Sequence, residues 1–411
     1  MGDNLRLEKL RIALATPEFI TEHDFDGGLA NLLARTSKLL ANLGHDVHVV
    51  TLSQQDDAEF DHDGVMVHRV TLKRGWHGLS RLTRYKLPTT LYWLNFSAEV
   101  FRKLKQLHRK EPFHLIQYPN YSYCGLFSIP LLRTTHVVRV SSYDPALHDL
   151  AGMKRNLDLK VVELLQSLQY RFARNVHVPS LTTQTMLSTK AGLRNTRLIR
   201  NPFYIDTRDW DTSVCDSLLK DKKYILYFGR FQLHKGFDIL VQALPRFFEQ
   251  YPDAYAVLAG RDRETQLASS MAAFARAHCR RFEGRLILLD NLRHAQLYPM
   301  IERSHLVVLP SLIENWSNSC MEAMGLGKVV IGTRGTSFEE LITDGVSGFL
   351  VDSKKPDALA DKLIAAWVDP KLNQMAAAAK QRINDFAPEK TVGPLLSYYA
   401  ELLNGRAARD A

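Results

Sequence analysis

The chain has 411 residues, is 45% hydrophobic and carries a formal net charge of +9 at pH 7, which allows two or three domains with large buried cores. Its four cysteines, Cys124, Cys215, Cys279 and Cys320, form no Cys-x-x-Cys pair, so neither a zinc site nor a disulfide framework is indicated and a reducing cytosol is expected. The charged N-terminus, Met-Gly-Asp-Asn-Leu-Arg-Leu-Glu-Lys, is unlike a signal peptide, and no stretch approaches the ~18 uninterrupted apolar residues of a transmembrane helix; the expectation is a soluble protein, peripheral at most.

Residues 11–15 read as a strand. A helical pattern over 29–43 follows Gly27-Gly28 and stops at Gly44, and 47–52 form a second strand. This is the start of a right-handed βαβ unit and of a doubly wound sheet. Further strands are predicted at 66–70, 114–117, 136–140, 176–179 and 196–199, ending a first lobe near Pro202. At Gly27-Gly28 an N–H without a Cβ shield can approach a phosphate closely, although many such pairs are only turns. Just before it, Asp24-Phe25-Asp26 has the form of a metal-binding Asp-x-Asp.

Between Lys73 and Lys110 the basic residues are opposed by Glu99 alone, and Trp76, Tyr85, Tyr92, Trp93, Phe96 and Phe101 are interspersed. Two readings stand: a peripheral contact of 73–110 with anionic lipid, or a solvated helical face above ordinary core contacts. No nucleic-acid recognition motif accompanies the charge.

After a polar connector over 207–223 the βα alternation restarts, with strands at 224–228, 255–258 and 286–289, helices at 237–250 and 264–280, and a final strand at 349–351. A last helical stretch covers 392–403. The restart contains Gly229-Arg230, four residues, then Lys235-Gly236. A point-charge lysine beside a forked arginine suits the neutralisation of a departing diphosphate; a pair of surface cations at a helix entrance is the plainer alternative. Further on, the buried strand 306–309 ends at Pro310 and is followed by Glu314 and, after seven residues, Glu322. A helix is predicted from about Ser317, so the two carboxylates flank a helix N-terminus. Carboxylates accept hydrogen bonds from sugar hydroxyls, which points to a ligand with hydroxyls as well as phosphates. Ser319 and Glu322 also fit a capping box, in which the glutamate only returns to backbone.

The Glu314, seven residues, Glu322-Ala323 pattern, preceded in order by Gly229-Arg230 and Lys235-Gly236 and continued by residues 327–351, resembles the retaining glycosyltransferases of family 4. The resemblance implies a GT-B architecture: α/β, two doubly wound Rossmann-like lobes with the ligand cleft between them. On this reading 1–203 form an acceptor-binding lobe, 204–385 a nucleotide-sugar-binding lobe, and 386–411 a C-terminal helix returning to the first lobe. The resemblance also implies roles: Arg230 and Lys235 on the diphosphate, Glu314 on the donor sugar, Glu322 on the ribose, Gly27 and Gly28 on the diphosphate. The helix end at Asn318 and Ser319 completes the donor site, and Asp290 and Leu292 fall where the family contacts the base. No metal and no other cofactor is expected, which discounts Asp24-Phe25-Asp26. One departure stands out. Where many members carry a histidine in a Val-Val-x-x-His pattern, this chain has Ser141 or Ser142, leaving Ser141, Ser142, Asp144 and His148 as candidate acceptor or sugar contacts.

The expected activity is transfer of a hexose-type sugar from a UDP- or GDP-sugar to a hydroxyl acceptor, a glycan or glycolipid precursor of the cell envelope, in the cytoplasm or at the inner face of the membrane. The rivals are a nucleotide-sugar epimerase or phosphorylase, and a catalytically silent GT-B subunit that only binds a nucleotide sugar.

Overall fold

Strand β1 (Arg11–Thr16) is buried along its whole length, and five of the seven residues of β2 (Asp46–Leu52) are buried too; such continuous burial is the mark of parallel strands covered on both faces. The computed structural model describes residues 9–22, 28–73, 86–150, 156–205 and 210–410. The chain divides into two units, one comprising Met1–Pro145, Lys154–Pro202 and Pro388–Ala411, the other Ala146–Met153 and Phe203–Ala387.

The first unit is built on an eight-stranded sheet of order β3-β4-β2-β1-β5-β6-β7-β8. Its remaining strands are β3 (Glu59–His62), β4 (Val65–Val70), β5 (Leu115–Pro119), β6 (Thr135–Arg139), β7 (Val176–Val178) and β8 (Arg197–Leu198). All pairings are parallel except β3 with β4. The β3–β4 hairpin was not anticipated, yet its signal is in the chain: Asp63-Gly64 takes positive φ at both residues, as a two-residue type I′ turn requires. Acids from outside 73–110 also face that segment. Glu99 is not the only opposing acid there, because Asp57 and Glu59 reach across to Lys73 (3.2 Å) and Lys103 (2.9 Å), while Glu99 itself pairs with Arg102. The final helix, Pro388–Asp410, buries Leu395, Tyr398 and Tyr399 in this unit's core, and Tyr399 donates to Gln117 Oε1 at 2.9 Å.

Under the first sheet, His48 and His68 stack with ring centroids 5.2 Å apart and share an Nδ1···Nε2 hydrogen bond of 2.9 Å, with Arg11 and Asp46 against His48 and Glu59 against His68. Burial, with the second imidazole beside it, lowers His68 from 6.5 to about 4, and burial lowers His136 to about 4 and His177 to about 3. The unfolded chain therefore takes up protons on these rings before the folded one does. Stability is complete above about pH 6.5 and is lost as pH falls towards 4. Thermal unfolding followed from pH 7.5 to 4.5 should show this loss, and His68→Gln should flatten it; an unchanged profile in that variant removes His68 from the account.

The second unit has a fully parallel six-stranded sheet of order β11-β10-β9-β12-β13-β14, made of β9 (Lys223–Phe228), β10 (Ala254–Ala259), β11 (Leu286–Leu289), β12 (Leu306–Val308), β13 (Val330–Thr333) and β14 (Phe349–Val351). In chain order this is 3-2-1-4-5-6, the doubly wound arrangement whose order reverses between the first and fourth strands. Two elements differ from expectation. The connector 207–223 contains a short helix, Ser213–Leu218. The helix expected over 264–280 is only Met271–His278, because Ser270 caps it through Ala273 N and Asp262 holds Ser270 and the N–H of Ala272.

Candidate active site

The switch point of the second sheet lies between β9 and β12, and the loops leaving their carboxyl ends, 229–236 and 309–317, are fastened to each other. Leu312 N donates to His234 O at 2.9 Å. Gly236 makes the approach possible: its φ is +65°, and a Cβ there would lie 1.9 Å from Pro310 O. A second backbone contact packs the next strand end, where a Cβ on Gly260 would lie 1.9 Å from Gly229 O. Glycine is required at both places by close approach of main chain to main chain.

On this frame Lys235 Nζ meets Glu314 Oε2 at 2.7 Å, with side chains 26% and 13% exposed. The structure thus joins two predicted residues 79 positions apart. Glu314 is anchored through its own carbonyl, which accepts from Ser337 N at 3.1 Å. Arg230 is exposed, with its carbonyl held by the Tyr227 hydroxyl at 2.7 Å. Between the two cations His234 is driven down to about 3 by burial and by Lys235 and Arg230, so it is neutral at physiological pH.

The helix after β12 is Asn318–Gly325, and its cap is Ser317, whose hydroxyl accepts from Cys320 N at 3.1 Å. Ser319 lies inside the helix, so the Ser319–Glu322 capping box does not form. Glu322 is instead buried in the helix with its carboxylate 3.5 Å from His294 Nε2. His294 was missed by the sequence reading; it opens the helix His294–Arg303 and stacks on Tyr298 at 5.0 Å. The segment leading into that helix contains exposed Asp290, whose carboxylate accepts from Asn291 N at 2.7 Å, and half-buried Leu292. Burial and the Glu314 carboxylate push the Cys320 thiol well above its usual range, which marks it as structural.

In the first unit, Gly28 opens the helix Gly28–Asn42; Gly27 and Asp24-Phe25-Asp26 lie outside the described residues. Ser141, Ser142 and Asp144 belong to one cross-braced network at the ends of β5 and β6. Asn120 accepts from Ser141 N and donates to Ser142 O, both at 2.9 Å. The Ser142 hydroxyl donates to Asp144, which also accepts from Gln166 at 2.8 Å. Buried Arg139 donates to the Ser141 hydroxyl and, at 2.9 Å, to Asn201. His148, in the stretch Ala146–Met153 that groups with the second unit, is half-buried one turn beyond Asp144 on the helix Asp144–Leu150. Asn120 and Gln166 could not be found from local sequence, since they reach this network from other elements.

Two family models match: "Glycosyl transferases group 1" over residues 215–382 and "Glycosyl transferase 4-like domain" over residues 27–203. Together they span most of the chain, which belongs to the group 1 glycosyltransferases and has their GT-B architecture of two doubly wound lobes. An uncharacterized glycosyltransferase of Methanocaldococcus jannaschii is 23% identical, covering 87% of this chain and 90% of that protein. The D-inositol 3-phosphate glycosyltransferase of Xylanimonas cellulosilytica is 29% identical, but the match spans 46% of this chain and only 45% of that protein. Among solved structures, sucrose-phosphate synthase from Thermosynechococcus elongatus superposes with a TM-score of 0.76 at 19% identity, covering 96% of this chain and all of that one. Anabaena HepE in complex with UDP and glucose gives 0.69 at 18% identity, covering 97% of this chain and all of that one.

Proposed function

We propose that the protein is a retaining, metal-independent hexosyltransferase that moves a sugar from a UDP- or GDP-sugar to a hydroxyl of a glycan or glycolipid precursor of the cell envelope. The observation that carries this reading is the 2.7 Å contact of Lys235 with Glu314 at the switch point of the second sheet. A cation suited to a diphosphate and a carboxylate suited to sugar hydroxyls meet where open α/β sheets take their ligands. In this reading Arg230 and Lys235 neutralise the diphosphate, Glu314 receives the sugar and Glu322 the ribose. Asn318 and Ser319 present the helix N-terminus, and Asp290 and Leu292 neighbour the base. Gly27 and Gly28 keep the diphosphate role that the resemblance implies, and Ser141, Ser142, Asp144 and His148 that of acceptor or sugar contacts. The departing diphosphate takes the acceptor's proton on a phosphate oxygen as the acceptor enters on the same face, so catalysis rests on electrostatic preorganisation. The reading draws support from HepE, solved with UDP-glucose, and from relatives named for transfer to inositol 3-phosphate and phosphatidylinositol. Because side-chain cations supply the counter-charge, activity should persist in chelator.

No helix among the described residues is long and apolar enough to cross a membrane; the location we propose is cytoplasmic, peripheral at the inner face. The test is a thermal-unfolding screen of UDP- and GDP-sugars in the presence of EDTA, followed by nucleoside diphosphate release over an acceptor panel. A true donor at a hundred times its Kd stabilises the fold by about 2.7 kcal/mol. If no nucleotide sugar shifts unfolding, the reading fails. Stabilisation without release over the whole panel would support the silent subunit instead.

A further inference from the structure

The helix Leu157–Ala173 of the first unit carries apolar side chains on its exposed face as well as on its buried one. Its inward face combines buried Val162, Tyr170 and Ala173 with polar anchors: Asp158 accepts from Thr89 N and Thr90 N at 2.9 Å, and Gln166 donates to Asp144 at 2.8 Å. Gln169 accepts from Gly125 N at 2.6 Å and donates to Pro119 O at 2.8 Å. Its outward face is apolar, with Leu157, Leu164 and Phe172 exposed by 57%, 56% and 53% and Val161, Leu165 and Leu168 half-buried beside them. At 100° per residue these six fall within an arc of about 100°, along about 22 Å of helix. A soluble surface scatters such side chains; one aligned stripe marks a contact face.

Its surroundings decide the occupant. Exposed Lys160 and Arg171 border the stripe at neighbouring helical angles, and exposed Arg174 follows at the helix end. At the other end, the Asp158 bonds to Thr89 and Thr90 bring Leu157 beside the helix Pro88–Lys110. Tyr92 there is exposed, and Trp93 packs edge-on between Tyr92 (4.7 Å) and Tyr121 (5.3 Å). Leucine and phenylalanine flanked by arginine and lysine, with tyrosine and tryptophan at one end, is the composition of a helix lying in a lipid headgroup layer. The basic borders also oppose pairing of the stripe with its own copy, since like charges would meet.

We propose that the outer face of the helix Leu157–Ala173 docks on an anionic membrane surface, with Leu157, Leu164 and Phe172 entering the headgroup layer and Lys160, Arg171 and Arg174 at the lipid phosphates. From segment 73–110 this contact takes only Tyr92 and Trp93; three of that segment's cations are engaged by Asp57, Glu59 and Glu99. It rests on the peripheral location proposed above but needs neither donor nor acceptor, so its failure would remove that location and leave the transferase activity, read by donor stabilisation and nucleoside diphosphate release, standing.

The full-length protein would be floated with phosphatidylcholine vesicles with and without phosphatidylglycerol. Binding is expected only with the anionic lipid and should weaken as salt is raised. Leu164→Asp and, as milder changes, Leu164→Ser and Phe172→Ser should each reduce partitioning by at least about tenfold, the scale of losing one buried apolar side chain. Their melting temperatures should match the parent's, because these positions are exposed. Absence of binding to anionic vesicles, or equal binding by parent and variants, overturns the proposal. So does a dimer in light scattering that Leu164→Asp converts to monomer, because the stripe would then be a self-interface.

Discussion

Lys235→Ala lowers turnover by about 10²–10³-fold, the cost of removing one donor from a preorganised site for developing negative charge. The effect falls mainly on kcat, because the diphosphate oxygens gain charge as the sugar departs. Donor binding weakens less. Nζ lies 2.7 Å from Glu314 Oε2 with the two side chains only 26% and 13% exposed, so removing the lysine leaves a largely buried carboxylate without its cation and lowers stability as well. The variant should therefore melt below the parent, and turnover is compared at a temperature where both remain folded. Glu314→Gln should also lose turnover, and the double variant should lose much less than the product of the two effects, because the residues act as a unit. Initial rates with a saturating donor, read alongside thermal unfolding, check all three. A Lys235→Ala protein with full turnover would falsify the electrostatic scheme.

Gly236→Ala destabilises the second unit by about 3 kcal/mol or more, combining an alanine forced into left-handed backbone with overpacking of a closed contact. At φ +65° the new methyl carbon would meet Pro310 O at 1.9 Å, and neither partner is a flexible side chain that can turn aside. Relief must come from moving the 309–317 loop away from 229–236. That movement breaks the Leu312 N to His234 O bond and draws Glu314 from Lys235, so donor binding should fall with stability. Urea unfolding and donor titration on the same preparation measure both. A variant with the parent's midpoint would show that the loop has room to shift. As a control, Gly327→Ala also places alanine at positive φ (+71°) but with nothing within 4 Å of its Cβ; it should cost only about 1–2 kcal/mol.

The second lobe was legible because its signals are local. An apolar run such as 224–228 buries both faces and can hardly be anything but a parallel strand, and glycine after it allows the turn. The first lobe's alternation was equally readable. The β3–β4 hairpin was passed over because residues 59–62 are polar and short, although Asp63-Gly64 announced the turn. The helix boundary at 318 was near the expected one, yet whether Ser317 or Ser319 provides the cap depends on a single backbone angle. Glu322 changes meaning with that choice, from a capping residue to a buried carboxylate beside His294.

Charge was the least legible property. A one-dimensional count left residues 73–110 nearly unopposed, while the folded sheet brings Asp57 and Glu59 against them. In the helix Leu157–Ala173 the 3.6-residue period is plain in the sequence, but period alone does not say which face turns inward. The inward face holds Val162, Tyr170 and Ala173 together with Asp158, Gln166 and Gln169, whose hydrogen bonds to other elements fix it there.

By itself the sequence determined two βα lobes and the order of their motifs, since strand burial, glycine turns and helix periodicity act over a few residues. Only the tertiary structure decided that Lys235 touches Glu314, that Glu322 meets His294 and that a leucine stripe faces outward. Each of these depends on distances between residues far apart in the chain, set by sheet order and by backbone contacts such as that of Gly236 with Pro310.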